Sequence, residues 1–208
     1  MLLQQISKQF KVLVTVCIVA LLVTSCGGKK LDVIASDGKI LAFGDSLTVG
    51  VGTSIENSYP TILAQLTGLT VINSGISGET TDRGLERLPA ELDRTQPDLM
   101  ILIEGGNDIL RNKSKSQLKA NLKGMIEQAN IRSIPVVLIG IPEKSLFSDS
   151  APLYEELAEE FDLVFDDSLI GGLQRSPSMK SDIVHFNKQG YRKMAESIYE
   201  LLDDSGAL

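Results

Sequence analysis

Five short apolar runs, at residues 40–43, 70–72, 99–103, 136–139 and 163–165, recur along this chain with helical patterns between them. The runs are continuous rather than alternating in polarity, as strands are when a parallel sheet is covered on both faces. Between them apolar side chains return at helical spacing: Tyr59, Ile62, Leu63 and Leu66; Leu85, Leu88 and Leu92; Leu118, Leu122, Met125, Ile126 and Ala129; Tyr154, Leu157, Ala158 and Phe161; and Tyr191, Met194, Ala195, Ile198 and Leu202. Each stripe is the core face of a helix. Pro89 falls inside the second stripe and predicts a kink or break there, because proline lacks the N–H and crowds the preceding turn. Alternation of strand and helix argues for an α/β fold, a three-layer α/β/α sandwich on a parallel, flavodoxin-like sheet of about five strands.

That fold occupies residues 39–208. Residues 1–25 read as a signal peptide: Lys8 and Lys11 precede an apolar run at 12–23, well short of the ~20 residues of a spanning helix. The run closes on Val23-Thr24-Ser25-Cys26, which resembles the lipobox of bacterial lipoproteins, where the cysteine is acylated and becomes the first mature residue. An uncleaved anchor and a plain secretory signal are the alternatives. Gly27 carries no acidic retention signal, so an exported, membrane-anchored lipoprotein is expected, at the outer membrane where the host has one. Residues 26–38 read as a flexible tether.

Cys17 leaves with the signal and Cys26 carries lipid, so neither a disulfide nor a cysteine metal site is expected; the single histidine argues against zinc, and no cofactor is implied. Removing Lys8 and Lys11 from 20 basic and 27 acidic residues leaves 18 against 27. Such an acidic chain argues against nucleic acid as a partner.

Three of the apolar runs end in polar, glycine-rich turns that a parallel sheet places on one edge: Gly44-Asp45-Ser46, residues 73–80, and Gly105-Gly106-Asn107-Asp108. Open α/β sheets bind ligands at that edge. Ser46 needs a base to become a nucleophile, and His185 is the only imidazole, with Asp182 three residues ahead to hold its remote nitrogen. Asp45 is adjacent to the serine and is expected to bond nearby backbone N–H groups and fix the turn. Glu104 is expected to point to solvent, the alternative being a buried group that raises the basicity of His185.

Together these blocks resemble the SGNH-type hydrolases of the GDSL esterase family, over residues 39–202 and in the same order. The resemblance implies Ser46 as nucleophile, His185 as base and Asp182 as the third member of a triad. It also implies an oxyanion hole from the N–H groups of Ser46 and Gly78 and the side-chain amide of Asn107, such donors being worth roughly 3–4 kcal/mol each. Two positions depart from the family pattern. Phe186 stands where proline often follows the histidine, and Ile183 where many members have glycine, which leaves the conformation of that loop open.

A flavodoxin-like binding module is the rival reading, since residues 46–54 are rich in Ser, Thr and Gly. Against it, the chain has no tryptophan and few aromatic residues to stack on a flavin. A second rival is a lipoprotein that keeps the fold without catalysis. Two segments, 141–151 and 166–181, are expected to be irregular and to wall the pocket with Leu146, Phe147, Leu169, Ile170, Leu173 and Met179. Those side chains favour a lipophilic acyl ester as substrate, as in the arylesterases, thioesterases and lysophospholipases of the resembled family. A carbohydrate acetate is the alternative.

Overall fold

Each of the five runs forms a strand: β1 (Lys39–Gly44), β2 (Thr70–Gly75), β3 (Leu99–Ile103), β4 (Val136–Ile139) and β5 (Val164–Asp166). The structure, a computed structural model, describes residues 29–143 and 149–208. The expected signal peptide, Cys26, Leu146 and Phe147 lie outside the described residues. All strand pairings are parallel and the order is β2-β1-β3-β4-β5. This is the expected flavodoxin-like order, with its switch point between β1 and β3. The cover is complete over β3 and β4 and over β1 beyond Lys39, but β2 at the sheet edge is largely half-exposed.

The connections are helical: α1 (Ser46–Val49), α2 (Tyr59–Thr67), α3 (Thr81–Thr95), α4 (Gly106–Leu110), α5 (Lys115–Ile131), α6 (Pro152–Phe161), α7 (Leu169–Gln174) and α8 (Lys188–Asp204). The crossover from β1 to β2 runs opposite to those that follow, and right-handed crossovers then put its helix on the other face. Accordingly α2 packs on α8, while α3 packs on α5 and α5 on α6. Among the described residues no helix is long and apolar enough to cross a membrane.

Four expectations are corrected. Pro89 does not interrupt α3, which runs unbroken around it with Leu88 and Leu92 fully buried on its core face; that burial offsets the roughly 3 kcal/mol of an internal proline. Leu66, placed on a core stripe, is exposed in the last turn of α2, which ends a residue later. Residues 166–181 are not irregular but contain α7 and a 3₁₀ turn, Pro177–Met179.

The fourth correction concerns the tether. Leu31 N–H donates to the Ser205 carbonyl at 2.8 Å and Ile34 N–H to the Ala207 carbonyl at 2.9 Å. Lys30 Nζ reaches the Asp204 carbonyl at 2.7 Å, Lys29 pairs with Asp162, and Leu31 and Ile34 pack on the core. The stretch from Lys29 onward is therefore docked on the end of α8 rather than free. Backbone groups that a flexible linker would leave in water here find partners on the C-terminal segment.

Candidate active site

Ser46 opens α1 immediately after β1, and the turn is built by its neighbour. Asp45 is the helix cap, its Oδ1 accepting the Leu47 N–H at 3.0 Å. A short polar side chain at this position satisfies a backbone donor that the helix itself cannot. For the same reason the N–H of Ser46, at the first helical position, has no acceptor within α1 and is left for a ligand.

His185 comes from the loop between the 3₁₀ turn and α8, 139 residues along the chain, and its Nε2 lies 3.0 Å from Ser46 Oγ. Its Nδ1 is 2.8 Å from Asp182 Oδ2, while Asp182 Oδ1 accepts the N–H groups of His185 and Val184 at 2.7 and 2.8 Å. The backbone N–H of His185, and then its ring, hold the Asp182 carboxyl down to about 2. An ionised carboxylate only accepts, so Nδ1 carries the hydrogen and Nε2 presents a lone pair to the Ser46 hydroxyl. All three members predicted from the sequence are thus brought together in the order that deprotonates serine.

The loop that carries His185 is pinned from below. Phe186 is fully buried and meets Tyr191 edge-to-face, with ring centroids 5.7 Å apart. Asn187 caps α8 through Oδ1, which accepts from Gln189 and Gly190, while its Nδ2 donates to the carbonyls of Ser178 and Lys180 at 2.8 and 3.1 Å. The departure at Phe186 therefore supplies an anchor. Ile183 needs no glycine, since its φ is not positive, and its side chain stands 88% exposed at the cavity mouth. Asn187 was missed from sequence, although an Asn before a helical stripe is a recognisable cap.

Gly78 and Asn107, the other two residues that the resemblance implies, border the same cavity as Ser46 and His185. Gly78 has φ +78°, in the left-handed region that favours glycine, and its carbonyl accepts from Arg111 Nη2 at 3.0 Å. Asn107 lies in the first turn of α4, behind Gly105, whose φ is +108° and whose absent Cβ would fall 2.4 Å from the Tyr154 hydroxyl. Asn107 Nδ2 donates to Asp45 Oδ2 at 3.1 Å, which occupies one of its two hydrogens and leaves the other for a ligand. Ser46, Gly78, Asn107 and His185 all border one cavity of about 470 Å³. Neither the hold of Arg111 on Gly78 nor that of Asp45 on Asn107 was legible in the sequence, since each spans tens of residues.

Asp45 itself is buried, and that burial raises its carboxyl to about 6, against the Leu47 N–H, His185 and the Asn107 amide, which favour the ion. Glu104 corrects an expectation outright. It is fully buried with neither carboxylate oxygen bonded among the described residues, and desolvation, helped by Asp45, Glu79 and Asp108 nearby, holds its carboxyl well above the usual range. The residue follows β3 inward, where the sheet still has helices on both sides, rather than out to water.

Both segments expected to wall the cavity do border it, through Ile141 and Pro142 and through Gly171, Gln174 and Arg175, but not through the apolar side chains expected. Leu169, Ile170 and Leu173 are buried in the core and Met179 packs against it, so none of them lines the site. The apolar lining comes instead from Leu47, Ile109, Leu110, Ile141, Pro142 and Val184, with Ile183 at the mouth. Gln174, Arg175 and Lys180 add polar character on one side. Among the described residues no group of three or more His, Cys, Asp and Glu side chains could hold a metal.

A model of the GDSL-like lipase/acylhydrolase family matches residues 42–193. The chain is 40% identical over 108 residues to an arylesterase of Vibrio mimicus, a match covering 50% of this chain and 54% of that protein. It is 28% identical over 170 residues to the thioesterase 1/protease 1/lysophospholipase L1 of Escherichia coli K12, covering 78% and 82%. The chain spans about half the length of the first curated relatives it matches. Among solved structures, the SGNH-hydrolase family esterase AlinE4 superposes with a TM-score of 0.64 at 30% identity, over 83% of this chain and 98% of that one.

Proposed function

The chain belongs to the GDSL-like lipase/acylhydrolase family, and on that premise we propose that it is a serine esterase that cleaves carboxylic esters through an acyl-enzyme on Ser46. The observation that carries this reading is the relay Ser46 Oγ, His185 Nε2, His185 Nδ1, Asp182 Oδ2, with links of 3.0 and 2.8 Å. His185 takes the serine proton as Oγ attacks the carbonyl carbon. The oxyanion that forms is met by donors from Ser46, Gly78 and Asn107. The imidazolium, steadied by the Asp182 carboxylate, returns its proton to the leaving oxygen. Water then repeats the sequence on the acyl-enzyme and frees the acid.

The substrate is an ester with a lipophilic acyl chain, because the cavity walls are dominated by Leu47, Ile109, Leu110, Ile141, Pro142 and Val184. Apolar walls reward chain length by about 0.8 kcal/mol for each methylene buried. Fluorophosphonate labelling tests the nucleophile: the probe attaches at Ser46 and is lost in Ser46→Ala. A series of p-nitrophenyl esters from acetate to decanoate tests the walls, with kcat/KM rising to a medium chain. A steep fall beyond acetate, with turnover of an acetylated glycan, would replace this reading by a carbohydrate O-acetyl esterase.

Residues 1–25 and Cys26 support export and a lipid anchor, on the basic, apolar and Val-Thr-Ser-Cys blocks of the sequence. Mass spectrometry of the protein from cells is the check, with an acylated Cys26 as first residue; an intact Met1 or an unmodified Cys26 would remove the anchor.

A further inference from the structure

If Cys26 carries lipid, the docking of residues 29–37 decides which way the site faces. The segment is held by Asp204, Ser205 and Ala207 at the end of α8, and the other residues that pair with or flank it precede strands: Asp162 stands before β5, Ile134 and Pro135 before β4, and Asp98 before β3, while Lys39 begins β1. They define the basal edge of the sheet. Every strand is parallel, so Ser46, Gly78 and Asn107, which follow β1, β2 and β3, lie at the opposite edge. Six residues of β1 separate the two edges, a strand of about 20 Å at the usual rise. Between Cys26 and Lys29 only Gly27 and Gly28 intervene, which keeps the acylated residue within about 11 Å of the docked segment.

We propose that the basal edge is the surface apposed to the anchoring membrane, and that the site takes its ester from the side facing away from that membrane. This rests on the anchor proposed above. It reverses the intuition that a lipidated esterase works on the bilayer holding it, because Leu31 and Ile34 are bonded to Ser205 and Ala207, which leaves the anchor a reach of about 11 Å against the roughly 20 Å that separates the two edges. The mouth of the site fits an amphiphile arriving from that side: Leu110 and Ile183, exposed large apolar side chains, border the cavity.

Two exposed positions read the orientation directly, Val33 on the docked segment, 74% exposed, and Ile183 at the cavity mouth. Full-length acylated protein is reconstituted in phosphatidylcholine vesicles containing a nitroxide-headgroup lipid, with a fluorophore on Val33→Cys or on Ile183→Cys. Acylation by mass spectrometry and co-flotation with vesicles are established first, so that loss of the anchor is separated from a wrong orientation. The Val33 probe is expected to lose most of its emission and the Ile183 probe to keep its own. Inserting about twenty Gly and Ser residues between Gly28 and Lys29, a reach of ~25 Å, is expected to quench the Ile183 probe and to raise turnover of a long-chain p-nitrophenyl ester embedded in the same vesicles. Equal quenching of both probes without the insertion, or stronger quenching at Ile183, would overturn the proposal whatever the activity.

Discussion

Asn107 Nδ2 donates to Asp45 Oδ2 at 3.1 Å, and the same carboxylate caps α1 through Leu47. One side chain thereby fixes both the turn that presents Ser46 and the amide expected to meet the oxyanion, linking β1 to α4 across the switch point of the sheet. Asn107→Ala should lower kcat by roughly 10²-fold with KM nearly unchanged, since the lost bond strengthens in the transition state. Asp45→Ala should also lower kcat, and Asn107→Ala added to it should cost less than it does alone. Additive losses in steady-state kinetics would show that the two residues act independently.

The pH dependence follows from the same carboxyl. Asp45 is raised to about 6, so its charge, and with it the stronger hydrogen bond to Asn107, forms as pH rises through about 6 and is lost below. The kcat of the wild type should climb through that range. Asp45→Asn, which cannot titrate, should remove this contribution from the acid limb of the profile, leaving only that of the remaining groups.

Glu104 should lower stability at neutral pH. Its folded-state carboxyl is held well above the ordinary value by burial, so the folded chain keeps a proton that the unfolded chain releases. Stability is then greatest below the unfolded carboxylate range and falls as pH rises from there toward the raised folded-state value. Glu104→Gln preserves volume and removes the titration. Its urea midpoint should exceed that of the wild type at pH 8 and match it near pH 4, with the slope unchanged.

Phe186→Ala should destabilise the protein by about 3–5 kcal/mol, the usual range for truncating a buried aromatic ring, because Phe186 is fully enclosed and packs on Tyr191. The same change frees the loop that carries His185. Fluorophosphonate labelling of Ser46 should slow even at temperatures where circular dichroism shows the variant folded.

Arg111→Ala should lower kcat more than it raises KM, because the bond of Arg111 to the Gly78 carbonyl at 3.0 Å holds that turn rather than a member of the triad. Arg111→Lys should recover part of the loss in steady-state assays. A change in KM alone would mean that Arg111 meets the substrate instead.

Much of this architecture was legible in the residues themselves. Continuous apolar runs, helical stripes and turn residues are local signals, each read within a few positions, and they carried the strand set, the parallel class and the alternation. The blocks holding Ser46, Gly78, Asn107, Asp182 and His185 were legible for the same reason: each is a short polar turn at a strand end or before a helix. Asp45 was read correctly as the residue that fixes its turn, since a cap acts across two positions. The tertiary structure alone decided matters that depend on what lies across the chain. Whether Glu104 meets water or a helix depends on where the sheet's cover ends. Whether Leu169, Ile170 and Leu173 wall the cavity or fill the core depends on the rotation of α7, because a helix carries its side chains all around its axis. The hold of Asp45 on Asn107 joins positions 62 apart, and the docking of Leu31 on Ser205 joins opposite ends of the domain. Such pairings are fixed by the enclosed structure, in which an unpaired buried donor or acceptor would cost more than ordering its partner.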